Sequence, residues 1–246
     1  READDELVAG KYRGWMHGMP HAVKDLAAVG GIRHTSGSLL YADRIAEQDS
    51  AMVSRIRAAG AIFVGKTNTP EFGLGSQSYN PIFGATGCAY NPELTSGGSS
   101  GGAGSALGTQ MLPVADGSDM MGSLRNPAAF NNVIGFRPST NVISGGSADQ
   151  RGLSTSGPMG RSTEDTIQFL RTIAVKDFGT DFSPLDISEA KIGWLGSLND
   201  YFALEPGILD LCQNSLEKIS QEGATVEELL PSFNPNDLWF SWTTLR

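Results

Sequence analysis

Apolar and polar positions alternate with two distinct rhythms along this chain, and the rhythm sets the expected elements. Over residues 50–60, Met52, Val53 and Ile56 recur at three and four among Ser54, Arg55 and Arg57, which predicts a helix. Asp49 or Ser50 can cap its start, and Gly60 supplies a left-handed stop. Residues 61–64 then read as a short buried strand, closed by 65–68 and Pro70. A second capped helix is expected over 163–175, started by Ser162 or Thr163, with Ile167, Leu170 and Ile173 on one face. A third is expected over 206–222, ended by Gly223. Strand-like runs occupy 18–25, 133–136, 191–195 and 225–229, and residues 105–115 read as helix then strand.

Between these lie segments without periodicity. The first 13 residues are polar and predict a frayed helix end. Residues 73–105 are mostly glycine, serine, asparagine and threonine, and 117–127 form another glycine-containing turn. Strands alternating with helices across short glycine turns predict α/β architecture. No internal repeat or interdomain linker interrupts the pattern, so residues 1–246 are expected to form a single domain.

Composition narrows the function classes. With 18 Lys and Arg against 27 Asp and Glu, the net charge of −9 shows no basic stripe for nucleic acid or an anionic membrane. No apolar run approaches a membrane span, and no signal-peptide pattern opens the chain. Cys88 and Cys212 stand far apart and read as reduced thiols, which suits the cytoplasm. His17, His21 and His34 share one short segment, but no cysteine or carboxylate spacing completes a metal site. They read as solvated or locally bonded, and no metal or cofactor is implied.

Two glycine motifs compete for the chemistry. Residues 60–67 fit the G-x-x-x-x-G-K-[ST] phosphate loop, yet the order is reversed. Gly60 ends a helix, the intervening residues are themselves the strand, and Pro70 follows where a helix should open. Lys66 therefore reads as structural. The second motif is Ser96-Gly97-Gly98-Ser99-Ser100-Gly101-Gly102-Ala103-Gly104, which runs directly into apolar residues rather than separating two halves as a linker would. Such a tract is expected where backbone passes close to a ligand. A second serine-bearing turn, residues 116–125, follows it, and Lys24 ends an apolar strand. Together they could supply a nucleophile, a relay and a base.

On these residues the chain resembles the amidase signature family. The Gly-Gly-Ser-Ser-Gly-Gly block stands at 97–102, and Asp119 to Phe130 match the block that carries the family nucleophile. The lysine turn at 18–25 and the stretches 60–72, 135–138 and 157–162 follow in family order. The resemblance implies a mixed twisted β-sheet covered by helices on both faces, incomplete here. It implies a hydrolase that cleaves carboxylic amide C–N bonds, with Ser123 as nucleophile, Ser99 as bridging serine after a cis peptide bond from Gly98, and Lys24 as base. The backbone N–H groups of Met120, Met121, Gly122 and Ser123 would form the oxyanion hole. Physically, a serine hydroxyl needs a base, and a lysine serves as one only when burial keeps it neutral. Backbone donors aimed at a tetrahedral oxyanion are worth roughly 3 kcal/mol each.

Ser100, Ser105 and Ser118 read as turn or packing residues, Ser100 being the nearest alternative to Ser99. Asp119 and Arg125 read as braces of the nucleophile turn. Met121 stands where the family commonly has glycine, which is expected to penalise positive φ and narrow the pocket. The family's usual length implies that this chain is the N-terminal and central part of a longer enzyme, associating as a homodimer or with a C-terminal half. Its substrate would be a small-molecule amide. The alternatives are the amidase subunit of a glutamine-dependent tRNA amidotransferase, or a non-catalytic fragment that binds.

Overall fold

The computed structural model describes residues 1–143, 153–175, 177, 179 and 185–245. The chain divides into two units, Arg1–Gly179 and Thr180–Arg246.

In the first unit a short helix α1 (Glu2–Val8) precedes strand β1 (Pro20–Lys24), and helix α2 (Ala51–Ala58) leads into β2 (Ile62–Thr67). Ser50 is the N-cap of α2 without a side-chain cap bond, and Gly60 takes the left-handed turn with φ +98°. The paired bridge strands β3 (Tyr79–Asn80) and β4 (Gly84–Ala85) come next, then α3 (Gly101–Gly108), β5 (Val114–Asp119), α4 (Arg125–Asn131), β6 (Ile134–Gly135), β7 (Thr155–Gly160) and α5 (Thr163–Ile173). The phosphate-loop match does not fold as one: its second glycine, Lys66 and Thr67 lie inside β2.

Among the elements that differ from the sequence reading are α3, β2 and α5. Helix α3 starts four residues earlier than apolar periodicity indicates, because the glycines are helical. A Cβ on Gly102 would lie 2.2 Å from the Asn68 amide nitrogen, so close approach selects glycine where propensity would select alanine. Strand β2 is not buried throughout: among the described residues it pairs only with β1, and Ile62 and Val64 face outward, Val64 62% exposed. On α5 the core face is Thr166, Phe169, Leu170 and Ile173, with Ile167 half-buried at its edge. Ser162 caps this helix by accepting the Asp165 N–H.

β1 and β2 are parallel, whereas β5–β7–β6 form an antiparallel sheet with β7 in the middle. β7 reads Thr-Ser-Gly-Pro-Met-Gly, and a proline in a central strand hides the strand signal. The sheets therefore carry both parallel and antiparallel pairs, though not as one continuous ladder. β1 lies against β5, and there the Lys24 N–H is donated to the Asp116 carboxylate while the Asp25 N–H goes to the Thr67 carbonyl of β2.

Three clusters build the core, the smallest of them formed by Val23, Val29 and Val53. Met16, Ile56, Val114, Phe169 and Ile173 pack α2 and α5 over the sheets, and Leu107, Ala115, Leu124 and Met159 join α3 to β5 and β7. Each of the larger of these side chains, fully buried, stabilises the fold by about 1.5–3 kcal/mol. Val114 and Ala115 anchor the start of β5 in the two larger clusters, and Val23 anchors β1 beside Lys24 in the smallest.

In the second unit, β8 (Lys191–Trp194) and β9 (Thr225–Glu228) are parallel neighbours joined through helix α6 (Ile208–Gln221), and α7 (Pro235–Leu245) follows. Gly223, with φ +108°, ends α6 as expected. Among the described residues no helix is long and apolar enough to cross a membrane.

Candidate active site

Lys24 is the last residue of β1 and only 1% exposed, an unusual place for an amine. Its Nζ donates to Ser99 Oγ at 2.8 Å, Ser100 Oγ at 2.8 Å and Ser118 Oγ at 3.0 Å, so three hydroxyls replace lost water. Burial pushes Lys24 down to about 7, against the pull of the Asp116 and Asp119 carboxylates. A sizeable fraction is thus neutral at physiological pH, with a lone pair facing hydroxyls.

Ser99 sits at the foot of α3, 2% exposed, and the Gly98–Ser99 peptide bond is cis. The turn holding Ser123 lies between β5 and α4. Gly122 takes φ +106°, a left-handed conformation that a Cβ disfavours. The two turns are joined directly, since the Ser100 N–H donates to the Ser123 carbonyl at 3.2 Å. Asp119 fastens the second turn from inside: it accepts the N–H groups of Gly122 and Leu124 and the guanidinium groups of Arg125 and Arg137. Burial works to raise its pKa, but these donors outweigh it and hold the carboxyl well below the ordinary range. Arg137 was not foreseen as part of this brace.

Lys24, Ser99, Ser118, Met120 and Ser123 all line one cavity of about 320 Å³. Its remaining wall mixes Leu26, Met52, Phe72 and Leu74 with the hydroxyls of Ser36, Ser50, Ser154 and Ser156. Phe72 takes φ +53°, its N–H held by the Ser36 carbonyl at 2.7 Å and its ring edge-on to Tyr41.

The expected oxyanion donors divide. The Gly122 N–H is donated to Asp119 Oδ1 at 2.8 Å, because the carboxylate lies under the turn, and is engaged there. Among the described residues the N–H groups of Met120, Met121 and Ser123 meet no acceptor. Met121 does not narrow this cavity: the left-handed position falls on Gly122, so Met121 keeps ordinary backbone and turns its side chain out, 52% exposed.

Other sequence expectations resolve individually. Lys66 donates to the Ala27 carbonyl and pairs with Asp25 at 3.4 Å, bracing the turn after Lys24. Ser105 lies on α3, away from Lys24, whereas Ser100 and Ser118 are more than packing residues, since each receives a hydrogen bond from its amine. The histidines separate: His17 meets the Ala3 carbonyl, His34 is half-buried and burial pushes it down to about 4, and His21 is neither solvated nor locally bonded. It is wholly buried, its Nε2 3.1 Å from Asp116 Oδ1, a contact spanning 95 residues of sequence. Among the described residues no group of three His, Cys, Asp or Glu side chains could hold a metal.

Comparison with known proteins places this geometry in a family. The family model for Amidase matches residues 1–242. A glutamyl-tRNA(Gln) amidotransferase subunit of Pseudomonas fluorescens (strain Pf-5) is 35% identical over 242 residues, 93% of this chain and 50% of that protein. Among solved structures, a bacterial aryl acylamidase of the amidase signature family superposes with TM-score 0.88 at 26% identity, over 99% of this chain and 54% of that one. Fatty acid amide hydrolase superposes with TM-score 0.84 at 26% identity, over 96% of this chain and 44% of that one. The chain spans about half the length of the curated relatives it matches.

Proposed function

This chain belongs to the amidase family, and from that premise we propose that the protein hydrolyses the C–N bond of a small-molecule carboxylic amide. The observation that carries the reading is the 2.8 Å contact between buried Lys24 and Ser99, in a cavity that Ser123 also lines. Ser123 attacks the amide carbonyl. Its proton passes to Ser99 Oγ as the Ser99 proton moves to neutral Lys24 Nζ. The N–H groups of Met120, Met121 and Ser123 are the donors best placed for the oxyanion, with Gly122 joining only if it leaves Asp119. The ammonium then returns its proton through Ser99 to the leaving amine, which departs from the acyl-enzyme on Ser123. Water enters by the same relay, releasing the acid.

No metal or cofactor takes part in this scheme. We read residues 1–246 as part of one amidase-signature domain and place the protein in the cytoplasm, in keeping with its two free cysteines.

Labelling with a fluorophosphonate probe tests the reading. The adduct should map to Ser123 by mass spectrometry, Ser123→Ala should take no label and turn over no amide, and its fold should persist. Amide turnover by the alanine variant, or no label on folded wild-type protein, would refute it and leave a binding role.

A second reading has its own support in the 35% identity to the glutamyl-tRNA(Gln) amidotransferase chain. On that reading the protein works with partner subunits, releasing ammonia for transfer. Co-elution of other chains with the native protein on size exclusion favours it; a homodimer or lone monomer that hydrolyses amides favours the first.

A further inference from the structure

We infer that His21 and Asp116 are a positioning pair for Lys24, in which a neutral imidazole anchors a buried carboxylate whose charge receives the lysine as it becomes an ammonium. The inference rests on the reading of Lys24 as the base.

Three observations carry it. Asp116 is 1% exposed and binds both ends of the segment that delivers Lys24: His21 Nε2 lies 3.1 Å from Oδ1, and the Lys24 N–H donates to Oδ2 at 3.1 Å. The carboxylate therefore fixes the main chain of the base as well as facing its cavity. Second, the His21 ring stands against Phe63 and Phe169, and its buried Nδ1 has no partner among the described residues. An imidazolium there would hold a charged N–H against aromatic walls without an acceptor, whereas a neutral ring with its proton on Nε2 satisfies Asp116 and leaves only a lone pair unmatched. Third, the two carboxylates near Lys24 are not equivalent. Asp119 is matched by Arg125 and Arg137, while among the described residues no lysine or arginine lies within ion-pair distance of Asp116. Lys66, the other nearby cation, is paired with Asp25. Asp116 is left without a cationic partner among the described residues, and its charge acts on the Lys24 ammonium across the cavity the two share rather than by direct pairing.

The proton count closes. Ser123 loses a proton through Ser99 to Lys24, an oxyanion forms on the carbonyl, and Asp116 stays anionic throughout. His21 gains and loses nothing.

Two variants and one spectrum test this on the full chain. The rate of fluorophosphonate labelling of Ser123 is measured against pH for wild type, Asp116→Asn and His21→Gln. Removing the carboxylate charge should move the acid limb to lower pH by about one unit, and the plateau should fall by up to about tenfold as the nascent ammonium loses its counter-charge. His21→Gln, whose amide N–H can replace the imidazole donor, should leave the limb in place. Histidine 15N shifts of the wild type at neutral pH should show a neutral His21 ring with its proton on Nε2. An unmoved limb in folded Asp116→Asn, an equal shift in His21→Gln, or an imidazolium signal for His21 would each overturn the inference. If Asp116→Asn does not fold, the wild-type spectrum decides alone. Wild-type protein that takes no label refutes the reading of Ser123 instead, and the spectrum still reports on His21.

Discussion

Lys24 Nζ lies 2.8 Å from Ser99 Oγ and equally 2.8 Å from Ser100 Oγ, but the two serines face different surroundings. Ser99 lines the cavity shared with Ser123, while the Ser100 hydroxyl turns to the Ser118 main chain, donating to its carbonyl and accepting its N–H. Ser99→Ala should therefore lower kcat/KM by about a thousandfold, within the span of lost general acid–base catalysis. Ser100→Ala should stay within about tenfold, because it removes one support of the lysine and leaves the relay. Steady-state amide hydrolysis ranks the two, and the reverse order would move the relay to Ser100.

The depressed Lys24 has two pH signatures. On the proposed reading activity needs the neutral amine, so kcat/KM should rise with pH through a midpoint of about 7 and level off above it. A profile that falls across that midpoint contradicts the base role. Stability should move the same way. Between about 7 and the ordinary lysine value of 10.5, the unfolded chain holds a proton that the folded one has released. Folding free energy should thus gain up to about 1.4 kcal/mol per pH unit across this window from that one group. Urea denaturation at a series of pH values should show the slope, and Lys24→Met should flatten it.

Helix α3 passes so close to Asn68 that only hydrogen fits at Gly102. Gly102→Ala should destabilise the protein by about 3 kcal/mol, the upper end for an overpacked site, because the clashing atoms are backbone and cannot rotate away. Chemical denaturation reads the loss; a midpoint within error of wild type would mean that α3 can shift freely.

Asp119 accepts hydrogen bonds from four residues beneath the Ser123 turn. Asp119→Asn keeps the shape but loses the charge that Arg125 and Arg137 bind, and because both arginines reach solvent it should cost about 2 kcal/mol at neutral pH. In wild type this support comes from a carboxyl held well below its usual range, so it is present at neutral pH and lost only as the solution becomes strongly acidic. Labelling of Ser123 should slow in the variant even where it remains folded. Unchanged labelling would mean that the turn keeps its shape without the brace.

How much of this was legible follows from what a sequence records. The helices at α2, α5 and α6 announced themselves because each buries one face, and a buried face leaves a period. Lys24, Ser99 and Ser123 were picked out by their motif blocks, and the structure brings all three to one cavity. What stayed hidden is of a different physical kind. The contact between His21 and Asp116 joins two strands 95 residues apart, and no local pattern encodes it. Ser100 and Ser118 sit in tracts where small residues are chosen by close approach, which leaves no periodicity to separate a hydroxyl that binds the lysine from one that merely fits. Strand β7 was masked by Gly157 and Pro158, whose pairing depends on neighbours on both sides.

Phe72 points to one more property of the cavity. A bulky residue at φ +53° costs roughly 1–2 kcal/mol relative to glycine, yet its ring forms part of the wall. Shape discrimination and thermal robustness are therefore set against each other at this residue: Phe72→Gly should relax the main chain while widening the space for larger amides. An evolving enzyme could broaden its diet here and grow hardier in the same step, a combination that melting temperature and a substrate-size series on this variant would reveal together.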